Sequence, residues 1–211
     1  MSIVQLNNIC KKYNNKNILE NFSLNIESGE FISIMGESGK GKSTILNIIG
    51  LIESYDSGEL IIDEHSNIKC NSIESSKILR EKIAYLFQNF ALIDEKTVVD
   101  NLMIPLKYVK KSAKEKLKEI NNALEFVGLK GFEKRKVYEL SGGEQQRVAI
   151  ARIILKPCKI ILADEPTGSL DEKNRDVILN LLCELNKMGK TIIVVTHDKK
   201  VAEKSKRIIY L

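Results

Sequence analysis

Short runs of apolar, mostly β-branched residues recur along the chain, separated by longer stretches with helical spacing. Phe31-Ile-Ser-Ile-Met35, Ile83-Ala-Tyr-Leu-Phe87, Ile160-Ile-Leu-Ala163, Ile192-Ile-Val-Val195 and Ile208-Ile-Tyr-Leu211 read as strands. Several are apolar at consecutive positions, so both faces must be buried, which predicts a largely parallel sheet covered by helices. The first third differs. Ile3–Leu6, Phe22–Ile26 and Glu59–Ile62 alternate, or stop at Asn, Ser and Gly, and predict an antiparallel sheet beside the parallel core.

The helices announce their ends. Asp171 is placed to cap a helix with Ile178, Leu181, Leu182 and Leu185 on one stripe and Gly189 at its end. Ser112 and Glu115 form a capping box ahead of Leu117, Ile120, Leu124 and Val127, and Gly128 closes that run. Residues 89–136 therefore read as mainly helical. They break the strand-helix alternation and make a candidate lobe inserted in one α/β domain; with the helix after it, the lobe spans about 89–150 of a domain covering 2–211.

Composition narrows the function classes. The 33 basic and 28 acidic side chains leave a net charge of +5, compatible with an anionic ligand but too mild to demand nucleic acid. Cys10, Cys70, Cys158 and Cys183 lack the paired spacing of a zinc or redox motif. The start Met1–Gln5 lacks a secretory pattern, and no apolar run approaches the ~20 residues of a membrane span. The expectation is a cytosolic protein that shares any transport task with another chain. The short tail after the last strand carries the expectation of no appended regulatory domain.

Gly36-Glu-Ser-Gly-Lys-Gly41-Lys42-Ser43 comes after an apolar strand and precedes a stripe of Ile45, Ile48 and Ile49, the setting of a phosphate-binding loop. Glycines let backbone N–H groups point at phosphate oxygens, and the helix N-terminus adds positive partial charge. Gly36, Glu37, Ser38, Gly39, Lys40, Gly41, Lys42, Ser43 and Thr44 are thus the candidate nucleotide cradle. Lys42 supplies a cation for the β- and γ-phosphates and Ser43 a hard oxygen for Mg²⁺. Asp164 and Glu165 end a buried strand, where carboxylates face ligands. Asp164 is the candidate Mg²⁺ partner, and Glu165 the candidate base for the attacking water. Gln88 and His197 also come directly after strands. They read as a Mg²⁺ or water ligand and a γ-phosphate contact.

Leu140-Ser141-Gly142-Gly143-Glu144-Gln145-Gln146-Arg147 opens another helix. Alone it reads as ordinary capping by Ser141, although Ser and two glycines at a helix start can also hold an anion. This segment resembles the signature motif of ATP-binding-cassette ATPases. Tyr13, the phosphate loop, Gln88, Asp164-Glu165, Ser169-Leu170-Asp171 and His197 fall in that family's order over nearly the whole chain. The resemblance implies the P-loop ATPase fold with ATP and Mg²⁺ as cofactors, and two copies paired head to tail. Ser141, Gly142 and Gly143 would then contact the γ-phosphate held by the partner copy. Asp171 would lie across the interface, and Tyr13 would stack on adenine.

Leu86–Phe90 and Ala163–Asp171 resemble the branch serving macrolide and antimicrobial-peptide export and lipoprotein release, and Phe87–Asp94 is similar to the lactococcin-type bacteriocin exporters. The expectation is an export motor on the inner face of the membrane, docked to a separate permease through residues 89–106, with no nucleic-acid partner. Two other readings are a mechanotransmission ATPase that moves no cargo, and a soluble cassette acting on ribosomes or DNA. The lysines from Lys107 to Lys118 read as a solvated helix face, with anionic lipid as a secondary use.

Overall fold

A computed structural model describes residues 1–168 and 170–211. The chain begins with β1 (Ser2–Tyr13), β2 (Lys16–Glu27), β3 (Phe31–Met35), α1 (Lys42–Ile49), β4 (Ser57–Ile62) and β5 (His65–Ser66). It continues through α2 (Ile73–Glu81), β6 (Ile83–Leu86), α3 (Val98–Met103), α4 (Ala113–Phe126) and α5 (Gly142–Ile154). The last elements are β7 (Ile160–Asp164), α6 (Glu172–Lys187), β8 (Thr191–Val195), α7 (Lys199–Ala202) and β9 (Arg207–Tyr210).

Two sheets result. An antiparallel one has the order β2-β1-β4-β5, and a parallel one the order β6-β7-β8-β3-β9. The parallel strands bury alternate side chains on opposite faces. Ile32, Ile34, Ile160, Leu162, Ile193 and Val195 pack with α1 and the antiparallel sheet. Phe31, Ile161, Ala163, Ile192 and Val194 pack with the helices from α3 to α6. This two-sided burial is why the strands show no polar alternation.

Four details depart from the pattern-based expectation. β1 runs on to Tyr13 because Asn8, in left-handed geometry at φ 51°, carries the strand across an irregularity that interrupts the alternation. β6 stops at Leu86, and Phe87 leaves the ladder to stack on Tyr85 with ring centroids 4.1 Å apart. In α4, Leu117 is exposed, and Ala123 joins Ile120 and Leu124 on the buried face. Residues 89–136 hold α3 and α4 with much turn between them: Thr97 and Asp100 cap α3, and Pro105 lacks the N–H that would extend it.

Candidate functional site

The carboxyl ends of β3, β6, β7 and β8 lie side by side, so the segments leaving these strands converge on one edge. After β3, the loop from Gly36 wraps into α1 through Gly39 at φ 79° and Gly41 at φ 91°, left-handed positions that favour glycine. A Cβ on Gly41 would also sit 2.9 Å from Ile18 Cγ2, so β2 closes against the loop only because glycine is there. The first N–H groups of α1 have no partner within the helix and face outward with the dipole's positive end. No acidic residue occupies that first turn. Lys42 Nζ donates to the carbonyls of Gly36 and Glu37, each at 2.8 Å, which holds the ammonium inside the loop.

Across from the loop, Ser43 Oγ donates to Asp164 Oδ1 at 3.3 Å. Burial pushes the Asp164 carboxyl above its ordinary value, opposed by the Ser43 hydrogen bond. Hydroxyl and carboxylate make an all-oxygen donor pair, suited to a small hard cation whose other ligands are water and phosphate. Among the described residues there is no cluster of three or more His, Cys, Asp or Glu that would hold a metal unaided. The donor chemistry fits Mg²⁺ bound jointly with a polyphosphate.

Glu165 turns the chain at φ 44°, an uncommon conformation for a non-glycine residue and one that collects at functional sites. Its amide donates to the Val195 carbonyl at 2.9 Å. Its carboxylate pairs with His197 Nδ1 at 2.8 Å and accepts from Thr196 Oγ1 at 3.3 Å. β8 thus fixes the side chain that β7 delivers. Gln88 stands at the open side, exposed, near Asp164.

At the other end, Tyr13 OH donates to Glu53 and lies 3.4 Å from Thr44 Oγ1, while Lys11 Nζ sits 5.2 Å from the ring centre. Burial, then the Glu53 contact, pushes the phenol's pKa up. The whole forms a cleft of about 600 Å³ lined by Tyr13, Gly36, Ser38, Gly39, Gly41, Lys42, Ser43, Thr44, Gln88, Asp164, Glu165 and His197. Glu37 and Lys40 do not line it. Lys16, Ile18 and Val195 do, although motif spacing gives no hint of them. The first two lie on a hairpin whose position depends on long-range packing. Thr196 escapes motif spacing as well; a hydroxyl between a buried strand and His197 is the one signal the sequence carries for it.

Ser141, Gly142, Gly143 and Asp171 lie outside this cleft and near one another. Ser141 caps α5 in a reciprocal box with Glu144, and Asp171 caps α6 by accepting from the Asn174 amide at 2.8 Å. Asn174 joins the two caps: it donates to Asp171 Oδ2 at 2.7 Å and accepts from Arg147 at 3.3 Å. Its side chain occupies the space where Gly143 lacks a Cβ. Ser169 lies outside the described residues. One copy therefore presents a phosphate cleft and, separately, a capped pair of helix starts.

A family model described as ABC transporter matches residues 19–168. Over 207 residues the chain is 42% identical to the macrolide export ATP-binding/permease protein MacB of Campylobacter jejuni, covering 98% of this chain and 32% of that protein. It thus spans about a third of the length of such fused relatives. It is 46% identical to the ABC transporter ATP-binding protein MJ0796 of Methanocaldococcus jannaschii, covering 99% of this chain and 93% of the other. A dimeric structure of MJ0796, a bacterial ABC transporter cassette, superposes with TM-score 0.90 at 44% identity, covering 99% of this chain and 94% of that one. A dimeric post-hydrolysis structure of MJ0796 bound to ADP and phosphate superposes equally well.

Proposed function

This chain belongs to the ABC transporter family, and we propose on that premise that it is the motor of a membrane exporter, working as a head-to-tail pair of copies on a permease. Its reaction is the hydrolysis of ATP to ADP and phosphate. The observation that carries the reading is the single cleft in which the phosphate loop, Asp164, Glu165, His197 and Gln88 meet at one sheet edge. We read 2–211 as one ATPase domain, with residues of about 89–150 as its helical lobe.

ATP lies along the cleft with adenine on Tyr13 and its phosphates on the loop from Gly36 to Thr44. Glu37 and Lys40 contribute only through the backbone. Loop N–H groups and Lys42 neutralise the β- and γ-phosphates. Ser43, Asp164 and Gln88 would hold Mg²⁺, which when bound would offset charge on the phosphoryl oxygens. Glu165 accepts a proton from the water that attacks the γ-phosphorus, while Thr196 and His197 keep its carboxylate aimed. His197 also contacts the γ-phosphate.

Ser141, Gly142 and Gly143 of one copy close over the nucleotide in the other, and Asp171 meets the partner's phosphate loop. This excludes water and adds donors on the open side of the γ-phosphate. The γ-phosphate is the contact that differs between closed and open pairs, so its loss releases them and moves the attached permease. Among the described residues no helix is long and apolar enough to cross a membrane. On the family premise the chain associates peripherally with the membrane's inner face and docks through residues 89–106. The macrolide export named for MacB favours export over mechanotransmission. Our cargo class is a bacteriocin, antimicrobial peptide, lipid or drug.

The test is Glu165→Gln. ATP binding is retained, turnover falls by at least about 100-fold, and ATP with Mg²⁺ accumulates a dimer on size-exclusion chromatography. Turnover at the wild-type rate removes Glu165 as the base.

A further inference from the structure

Helix α5 reaches the loops beyond Gln88 and Glu165 as well as carrying Ser141–Gly143 at its start. Gln146 Nε2 donates to the Pro166 carbonyl at 2.7 Å, just after Glu165. Near the far end of the helix, the Arg152 guanidinium donates to the Ala91 carbonyl at 2.5 Å and to the Phe90 carbonyl at 2.9 Å. The loop also returns to the start of α5, where the tip of the Phe90 ring lies 3.7 Å from the Cβ position of Gly142. The segment after Gln88 therefore touches α5 at both ends.

Three features separate the Arg152 contact from incidental packing. Phe90 and Ala91 are both left-handed, at φ 60° and 48°, a costly choice for consecutive non-glycine residues. Successive residues in a helical conformation of either hand point their carbonyls the same way, and that presents two acceptors to a planar fork. Arg152 forms no salt bridge among the described residues, and burial pushes its pKa down. A half-buried cation committed to two neutral carbonyls holds that turn in place.

We propose that Arg152 is a positioning residue for ATP hydrolysis: with the Phe90 ring it straps the Gln88 loop to helix α5, so that Gln88 and the Ser141–Gly143 helix start move as one body. The proposal rests on the reading of Gln88 as a Mg²⁺ or water ligand beside the γ-phosphate. Its consequence is that the group sensing a copy's own nucleotide is rigidly tied to the segment that the same copy offers to its partner's nucleotide. α5 spans the two as a continuous helix of 13 residues, too stiff to bend between them.

The experiment measures kcat, KM and nucleotide Kd for Arg152→Ala, Arg152→Lys, Gln88→Ala and the Arg152→Ala/Gln88→Ala double variant, with thermal unfolding of each. Arg152→Ala lowers kcat about tenfold while Kd stays within about twofold, the mark of misplacement rather than lost binding. Arg152→Lys, which keeps the charge without the fork, recovers part of that loss. The double variant is no slower than Gln88→Ala, because the two residues act in series. If Arg152→Ala does not fold, Phe90→Ala breaks the strap from the loop side, and the same three measurements apply to it. Multiplying losses in the double variant, an unchanged kcat, or a Kd that rises in step with the fall in kcat overturns the proposal. Wild-type kcat in Gln88→Ala would instead remove the Gln88 reading first, and a persistent Arg152 defect beside it would place Arg152 in some other role.

Discussion

At Gly143 a missing side chain is the structural requirement. Replacing a helical glycine with alanine ordinarily stabilises by up to about 1 kcal/mol. Here the added Cβ would lie 2.4 Å from Asn174 Oδ1. Asn174 has little freedom to retreat, since Asp171 and Arg147 both hold its amide group. Gly143→Ala is therefore expected to destabilise by about 1–3 kcal/mol in urea unfolding. The Gly143→Ala/Asn174→Ala double variant should lose less than the sum of the two singles. A Gly143→Ala variant more stable than the parent would contradict the packing. Residues with local signatures are readable from sequence: the loop glycines, Lys42, Ser43 and the strand-end pair Asp164-Glu165 each stand beside the feature that gives them meaning. Thr196, Asn174 and Arg152 are not, because each draws its role from a partner 27 to 62 residues away.

Among the elements, the two sheets are joined by a small ion cluster. Asp63, in the turn after β4, pairs with Lys82 at 2.7 Å and with Lys159 at 3.1 Å, the residues just before β6 and β7. The Lys82 hydrogen bond, chiefly, holds the Asp63 carboxyl below its ordinary value, against the effect of burial, and Lys159 adds to it. A carboxyl lowered in the fold stabilises fully above the ordinary aspartate range near ~3.9. That contribution fades as pH falls through the lowered value. Lys159 is more than half exposed, so solvent screening limits the cluster to about 1 kcal/mol. Asp63→Asn should cost that much at pH 7 and progressively less as pH falls through the lowered value, checked by urea midpoints across pH. A difference that does not shrink as pH falls would contradict the ion-pair account. The elements themselves are legible where burial is two-sided or caps are strong, as in β3, β7, β8 and α6. Where the chain departs from a regular pattern the sequence misleads: Asn8 hides the second half of β1, and helical spacing alone places Leu117 on a buried face it does not join.

For the whole molecule, the decisive fact is separation. One copy holds the phosphate cleft, and its Ser141–Gly143 and Asp171 lie outside it, so a site needing both sets must draw on two copies. Periodicity and motif spacing supply the fold class. The pairing comes only from the family resemblance, since no single chain's hydrophobic pattern records a contact completed by nucleotide. Lys42→Ala destroys the cleft but leaves the signature helix start intact, and Ser141→Arg does the reverse. Each variant alone is expected to be inactive. Mixed at equal concentrations, half of randomly formed dimers carry one intact composite site, which restores about a quarter of the parent's ATPase rate if sites act independently. Recovery near that level on mixing supports two-copy completion; no recovery from a mixture whose chains bind one another, or full activity in Ser141→Arg alone, would contradict it.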